Sequence, residues 1–264
     1  MTSFLEKIDA LTTERVAAAK QVISQHDLEQ SSLYGRTPRP VLPAFQTSGF
    51  HIIAEVKFAS PSEGDIHPHA PQPEKIAGAY LSAGARMLSV LTEPLYFKGG
   101  LDYLSAIRAA HADALLLRKD FINDPYQLHE ARAHGADAVL LIMAMTGFEK
   151  TRDLFQAAQD LHLTVLMEIH DATELEMAAH IGARMIGVNN RNLKTLKTDL
   201  DTSRQLAAQK PAQSIFICES GLSQPQDITS MRDLGYDGFL MGTHFMRSEK
   251  PGDMLARFME GLGA

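Results

Sequence analysis

The feature that most restricts the fold of this chain is a repeat. Ala83-Gly84-Ala85-Arg86-Met87-Leu88, His134-Gly135-Ala136-Asp137-Ala138-Val139, Ile181-Gly182-Ala183-Arg184-Met185-Ile186 and Leu234-Gly235-Tyr236-Asp237-Gly238-Phe239 share one shape. In each, a helical pattern closes on a glycine, which enters the left-handed C-cap conformation without a Cβ penalty, and an apolar run starts about two residues later. Eight apolar, β-branched or leucine-rich runs punctuate the chain, at 50–57, 87–93, 114–120, 138–144, 164–170, 185–190, 214–220 and 238–245. Helical periodicity follows each, for example at 125–134, 148–161 and 173–181. The echo precedes the second, fourth, sixth and eighth runs. Strands alternating with helices predict βαβ units and a parallel sheet; eight runs with a two-strand echo predict one closed (β/α)8 TIM barrel over residues 49–264. The rival is an open dinucleotide-binding sheet with a small second domain, but no Gly-x-Gly-x-x-Gly follows any run.

The segment before the barrel, residues 1–48, carries Phe4, Leu5, Ile8, Leu11, Arg15, Val16 and Ala19 at amphipathic helical spacing, followed by a proline-rich stretch at 37–43. Its apolar stripe predicts a helical extension packed on the barrel, in reach of the active-site mouth. A chain of 264 residues with 45% hydrophobic and 22% charged residues suits an ordinary globular protein. The net charge of −7 argues against a broad nucleic-acid-binding face, so recognition of phosphate must be local. The lone cysteine, Cys218, excludes an intrachain disulfide and reads as a buried apolar residue. No run is long enough for a membrane span, and Met1-Thr2-Ser3-Phe4-Leu5-Glu6-Lys7 lacks the basic start and apolar core of a secretion signal, so a cytoplasmic location is expected.

In such a barrel the active site forms at the carboxyl ends of the strands. The first run ends in Glu55 and Lys57, two residues apart and so on one side. Alternation places Leu115, Leu117 and Lys119 on one face, Leu166 and Glu168 on another, then Gly187, Asn189 and Arg191, and finally Cys218 and Ser220. If those faces look inward, Glu55, Lys57, Lys119, Glu168, Asn189, Arg191 and Ser220 converge on one cavity. Charges interrupting apolar strands at matching depth are poor core material and good acid–base machinery. At the last two runs, Glu219-Ser220-Gly221-Leu222 and Met241-Gly242-Thr243 set glycines and hydroxyls where backbone N–H groups can approach an anion, which predicts a phosphate site.

Residues 53–64, 117–128, 186–193 and 218–227, with Val90-Leu91-Thr92-Glu93 and Tyr96-Phe97, closely resemble the signature blocks of the indole-3-glycerol-phosphate synthase family. The resemblance spans nearly the whole chain. It implies a carbon–carbon lyase of tryptophan biosynthesis that closes the ring of 1-(2-carboxyphenylamino)-1-deoxyribulose 5-phosphate, losing carbon dioxide and water. It implies a catalytic set of Glu55, Lys57, Lys119, Glu168, Asn189 and Ser220, with Lys119 as general acid and Lys57 holding the anthranilate carboxylate. Glu55 and Glu168 would stabilise positive charge on the amine and carry the remaining proton transfers. Ser60 would contact the substrate carboxylate; Asn189 and Arg191 would orient the ligand; Phe97, Phe121, Leu140 and Leu193 would wall the aromatic ring. Glu219, Ser220, Gly221, Leu222, Gly242 and Thr243 would form the phosphate end. No cofactor or metal is implied, and the expected partner is a phosphorylated small molecule, with no nucleic acid or membrane, on a monomer or weak homodimer.

Phe58 and Glu63 depart from the resemblance, since the family usually carries Arg or Lys at the first position and commonly Lys at the second. Lost positive charge predicts weaker substrate binding or a different loop packing. The long Pro- and Gly-punctuated connection at 58–73 is expected to be a mobile lid. His67-Pro68-His69 reads as loop rather than metal site, because no third ligand is near in sequence. Two other functions fit a phosphate-binding barrel: a Schiff-base aldolase using Lys119 or Lys57, and a catalytically inactive ligand-binding barrel.

Overall fold

A computed structural model describes residues 4–67, 71–193 and 195–263. Eight parallel strands close into a barrel. They are β1 Ile52–Val56, β2 Met87–Leu91, β3 Leu116–Lys119, β4 Ala138–Ile142, β5 Thr164–Ile169, β6 Met185–Asn189, β7 Ile215–Glu219 and β8 Gly238–Met241. The chain starts with helices α1 Phe4–Val22 and α2 Gln25–Glu29. Helices α3 Pro73–Ser82, α4 Leu101–Ala110, α5 Tyr126–Ala133, α6 Met143–Asp160, α7 Ala172–Ile181, α8 Asp201–Ala207 and α9 Pro225–Asp233 link successive strands, and α10 Thr243–Met246 and α11 Pro251–Gly261 follow β8. The last strand pairs with the first, Ile52 opposite Phe239.

The four echoed glycines do what their spacing predicts: Gly84, Gly135, Gly182 and Gly235 all hold positive φ, between 82° and 98°. Two runs end earlier than the hydropathy suggests. The apolar stretch 138–144 leaves the sheet at Ile142, and α6 begins at once, kinked at Gly147 (φ 69°, ψ 171°). The stretch 238–245 leaves the sheet at Met241, and Phe245 and Met246 are buried from the helical turn α10 instead. In both cases apolar residues past the strand are buried by a helix against the barrel, and hydropathy alone does not separate the two kinds of burial.

Two apolar layers result. Ile53, Met87, Leu117, Leu140, Leu166, Met185, Ile217 and Leu240 fill the barrel interior, while Ile52, Ala54, Val56, Val139, Ile186, Phe216 and Cys218 pack outward against the helices. Strand alternation produces this division. Val41 and Phe45, from the 3-10 turn Leu42–Phe45 and the residue before it, join the interior layer. A Cβ on Gly238 would lie 2.9 Å from the Phe45 ring, so that glycine admits the ring to the barrel floor. Helix α1 buries Ile8, Thr12 and Val16 and lies against α5 and α6. Among the described residues no helix is long and apolar enough to cross a membrane.

Candidate active site

At the carboxyl ends of the strands a cavity opens, apolar for most of its wall. Its polar groups and their partners arrive from six strands. β1 extends Glu55 inward, and Lys57 just beyond it places Nζ 2.7 Å from Glu55 Oε1. β2 contributes Ser89, whose hydroxyl donates to Glu55 Oε2 at 3.2 Å. β3 ends on Lys119, whose Nζ donates to Glu219 Oε2 at 2.6 Å and lies 3.5 Å from Glu168 Oε2. Asn189 donates to Glu168 Oε1 at 3.0 Å and accepts from the Arg191 backbone N–H at 3.0 Å. Three carboxylates thus surround two ammonium groups.

The carboxylates are not equivalent. Burial opposes ionisation of Glu168, but Lys119 and His170 outweigh it, and its pKa falls to about 2. Burial pushes Glu219 up, Glu168 and Glu55 push it further, and Lys119 alone offsets them, so it rises to about 7. Among the described residues, Glu219 Oε1 is buried with no hydrogen-bond partner. Lys119 would lose its proton to burial were it not for Glu219, Glu168 and Glu55, which together raise its pKa above the ordinary lysine value. Two carboxyl groups driven apart around one ammonium are the environment from which distinct acid and base duties arise.

Behind Glu168 stands His170, with Nε2 3.4 Å from Glu168 Oε1 but not aligned for a hydrogen bond, and Nδ1 3.2 Å from Glu174 Oε2. Burial works against the imidazolium; the flanking carboxylates prevail and raise it to about 10. On the far side of β3, buried Arg118 donates to Asp120 and Glu130, and Asp120 accepts from Arg15 of α1 at 2.7 Å. Phe4 of α1 stacks edge-on with Tyr96 and Phe121, at 5.4 and 6.1 Å between centroids, and lines the cavity mouth.

A profile of the family described as indole-3-glycerol phosphate synthase matches residues 5–258. The chain belongs to the indole-3-glycerol phosphate synthase family. The indole-3-glycerol phosphate synthase of Laribacter hongkongensis is 44% identical over 261 residues, covering 97% of this chain and 98% of the relative. That of Bacteroides thetaiotaomicron is 41% identical over 264 residues, covering 99% and 100%. Among solved structures, 3-hexulose-6-phosphate synthase from Salmonella typhimurium superposes with a TM-score of 0.65 at 14% identity, over 81% of this chain and 98% of that one. A likeness at that identity speaks for the barrel alone.

Of the residues expected in an indole-3-glycerol phosphate synthase site, Glu55, Lys57, Ser60, Phe97, Lys119, Phe121, Leu140, Glu168, Asn189, Arg191, Leu193, Glu219 and Ser220 line the cavity together. Gly221, Leu222, Gly242 and Thr243 do not. Leu222 is 7% exposed and belongs to the outer apolar layer, so its side chain is occupied in the core. Gly242 abuts Glu55 instead: a Cβ there would lie 2.6 Å from Glu55 Oε1.

On β7 the inward face is the opposite of the one expected. Cys218 points outward, to Ser203 and Asn190, and Glu219 is the inward residue. Ser220 reaches the cavity only because it leaves the strand in a left-handed conformation, φ 64°, followed by Gly221 at φ 83°. Ser89, His170 and Phe4 were not among the expected site residues. Ser89 falls between inward Met87 and Leu91, and His170 lies two residues past Glu168, so the period of two contained a signal for each.

Phe58 lies outside the cavity. It is 5% exposed and packs on Tyr103 and His67, at 5.6 and 6.1 Å between centroids. Charge lost at that position therefore does not face the cavity, and the altered loop packing is the consequence the geometry supports. Glu63 pairs with Arg247 of the segment after α10. His67 Nδ1 lies 3.0 Å from the Met246 carbonyl oxygen, while Pro68 and His69 fall outside the described residues.

Proposed function

We propose that this chain closes the ring of 1-(2-carboxyphenylamino)-1-deoxyribulose 5-phosphate, releasing carbon dioxide and water to give indole-3-glycerol phosphate. Membership makes it a decarboxylating, ring-closing lyase of tryptophan biosynthesis. The observation that carries the reading is Lys119 held between Glu219 and Glu168, beside the Lys57–Glu55 pair, in one apolar cavity.

The chemistry asks for these groups. The ring carbon bearing the carboxylate attacks the ribulose carbonyl, and the carbonyl oxygen takes a proton as the carbon–carbon bond forms. Lys119, kept protonated by its carboxylate neighbours, is suited to give it. Carbon dioxide then leaves and its bonding pair restores the aromatic ring. The new hydroxyl departs as water with a second proton, for which Lys57 is the candidate, while the amine nitrogen supplies electrons. Glu55 and Glu168 oppose the positive charge that builds on that nitrogen, and a carboxylate takes up the final proton. Two protons are given and one returned, matching the proton consumed as a carboxylate becomes carbon dioxide.

In this reading Lys57 and Ser60 meet the anthranilate carboxylate, and Phe97, Phe121, Leu140 and Leu193 wall the ring. Asn189 and Arg191 orient the ligand. The phosphate is met from the β7 and β8 ends by Ser220 and by backbone N–H groups of Gly221, Gly242 and Thr243, with Leu222 contributing main chain only. An aldolase forming a Schiff base requires an amine that loses its proton readily; the raised pKa of Lys119 disfavours that alternative at Lys119.

Appearance of indole fluorescence from the carboxyphenylamino substrate, in the presence of chelator, tests the proposal. Wild type should turn over, and Lys119→Ala should lose on the order of 10²–10⁴ in kcat. A wild type without turnover ends the reading.

A further inference from the structure

Gly187 sits in mid-strand on β6, between Glu168 of β5 and Ile217 of β7 in the sheet register. Its backbone is ordinary extended strand and its φ is not positive, so no conformational need calls for glycine. A glycine inside a strand weakens it relative to alanine, and one kept there marks a close approach. The approaching group is Glu219. A Cβ on Gly187 would fall well inside contact distance of Glu219 Oε1 and 3.0 Å from its Cδ, with Leu166 Cδ1 next at 3.3 Å.

Among the described residues, the Glu219 carboxylate is fixed by hydrogen bonding at one oxygen only. Oε2 accepts from Lys119 Nζ at 2.6 Å, and Oε1 is buried with no partner among the described residues. No donor among the described residues fixes Oε1, which occupies the space that a side chain on Gly187 would fill. Gly242 stands in the same relation to Glu55.

We propose that Gly187 is a positioning residue: by carrying no side chain, it keeps open the space from which the Glu219 carboxylate reaches Lys119. Its effect on turnover rests on the ring-closure reading; its effect on geometry does not. The atom in the way is the far end of a flexible side chain, so alanine displaces the carboxylate and leaves the strand in place.

The test is Gly187→Ala, by crystallography and by assay. The expected structure has β6 unmoved and the Glu219 carboxylate turned away from Lys119. The expected kinetics are a fall in kcat on the order of 100-fold, as for a catalytic group misplaced by about 1 Å, with KM little changed. Retention of the Lys119–Glu219 pair in the variant, or an undiminished kcat beside an active wild type, overturns the proposal. If Gly187→Ala does not fold, the shorter carboxylate of Glu219→Asp removes the collision. Gly187→Ala/Glu219→Asp should then match Glu219→Asp alone, and a further loss in the double variant overturns the proposal. A wild type without turnover would end the ring-closure reading and leave the crystallographic arm standing.

Discussion

His170 is the side chain through which solvent pH is expected to reach the site. It lies between Glu168 and Glu174, with Asp171 next in sequence, and α1 brings Glu6 and Asp9 and the β6 loop Lys197 and Asp199 to the groove it borders. Glu168 owes its low pKa first to Lys119, against burial, and then to His170. His170→Asn removes one of those cations, so the Glu168 carboxyl rises and the acidic limb of the kcat/KM profile should move to higher pH. A limb that stays in place would show that His170 does not govern that carboxylate. The same substitution has a stability signature of the opposite sense. A histidine raised from 6.5 to about 10 in the folded chain contributes stability in full below pH 6.5 and loses it as pH rises through about 10. Urea titrations should therefore show wild-type stability declining across that window and the variant declining less. Much of this was readable residue by residue: alternation carried Glu55, Lys57, Lys119, Glu168 and Asn189 to one cavity. It broke at Ser220, where a left-handed backbone lets an outward position turn in, and no hydropathy pattern encodes a φ of 64°.

At the scale of elements, the segment after β3 is held by the amino-terminal helix. Arg15 pairs with Asp120, Lys20 with Asp124 at 2.8 Å, and Asn123 donates to Asp9 and Thr13. All three acceptor or donor positions on the segment lie within five residues of Lys119. Arg15→Ala leaves Asp120 still bonded to Arg118, so a loss of about 1 kcal/mol is expected in thermal denaturation, with a larger drop in kcat than the stability change explains. Asp120 itself is depressed from 3.8 to about 2 against its burial, by Arg118 and Arg15. Its contribution is present above pH 3.8 and lost as pH falls through about 2, so acid unfolding of Arg15→Ala should begin at higher pH than that of wild type. The connection after β1 is tied differently. Ala59–Ser60 pairs with Gly64–Asp65, and Asp65 and Glu63 hold Lys98 and Arg247 from neighbouring loops. Slower hydrogen exchange over 59–66 with a bound substrate analogue is expected of a lid, and equal exchange with and without it would count against one. The amphipathic stripe on α1 predicted its packing, but the partners of Arg15 and Lys20 lie more than 100 residues away and no local pattern names them.

For the molecule as a whole, the amino-terminal end of the barrel is braced by one carboxylate. Asp137, just ahead of β4, accepts from Arg108 at 2.6 Å, Arg36 at 2.8 Å and the backbone N–H groups of Arg39 and Leu116. Asp137→Ala strands a buried guanidinium and should cost about 3–5 kcal/mol in denaturant titration. Because the catalytic face is at the opposite end, kcat per folded molecule should not change. The eight apolar runs predicted the strand count and the echoed glycines supported the closure, since each cap ends one helix and aims the next strand, whereas the burial of Val41 and Phe45 in the barrel floor had no periodic signal ahead of it. Closure has one further consequence, in time. Ile52 finds its partner Phe239 only when nearly the whole chain has emerged, and Gly242, which crowds Glu55, comes later still. At ordinary synthesis rates of ~5–20 residues per second, the two ends of the catalytic cleft spend roughly 10–40 seconds of each chain's birth without each other. A ribosome stalled between β7 and β8 therefore carries every one of the site's lysines and glutamates and no enzyme.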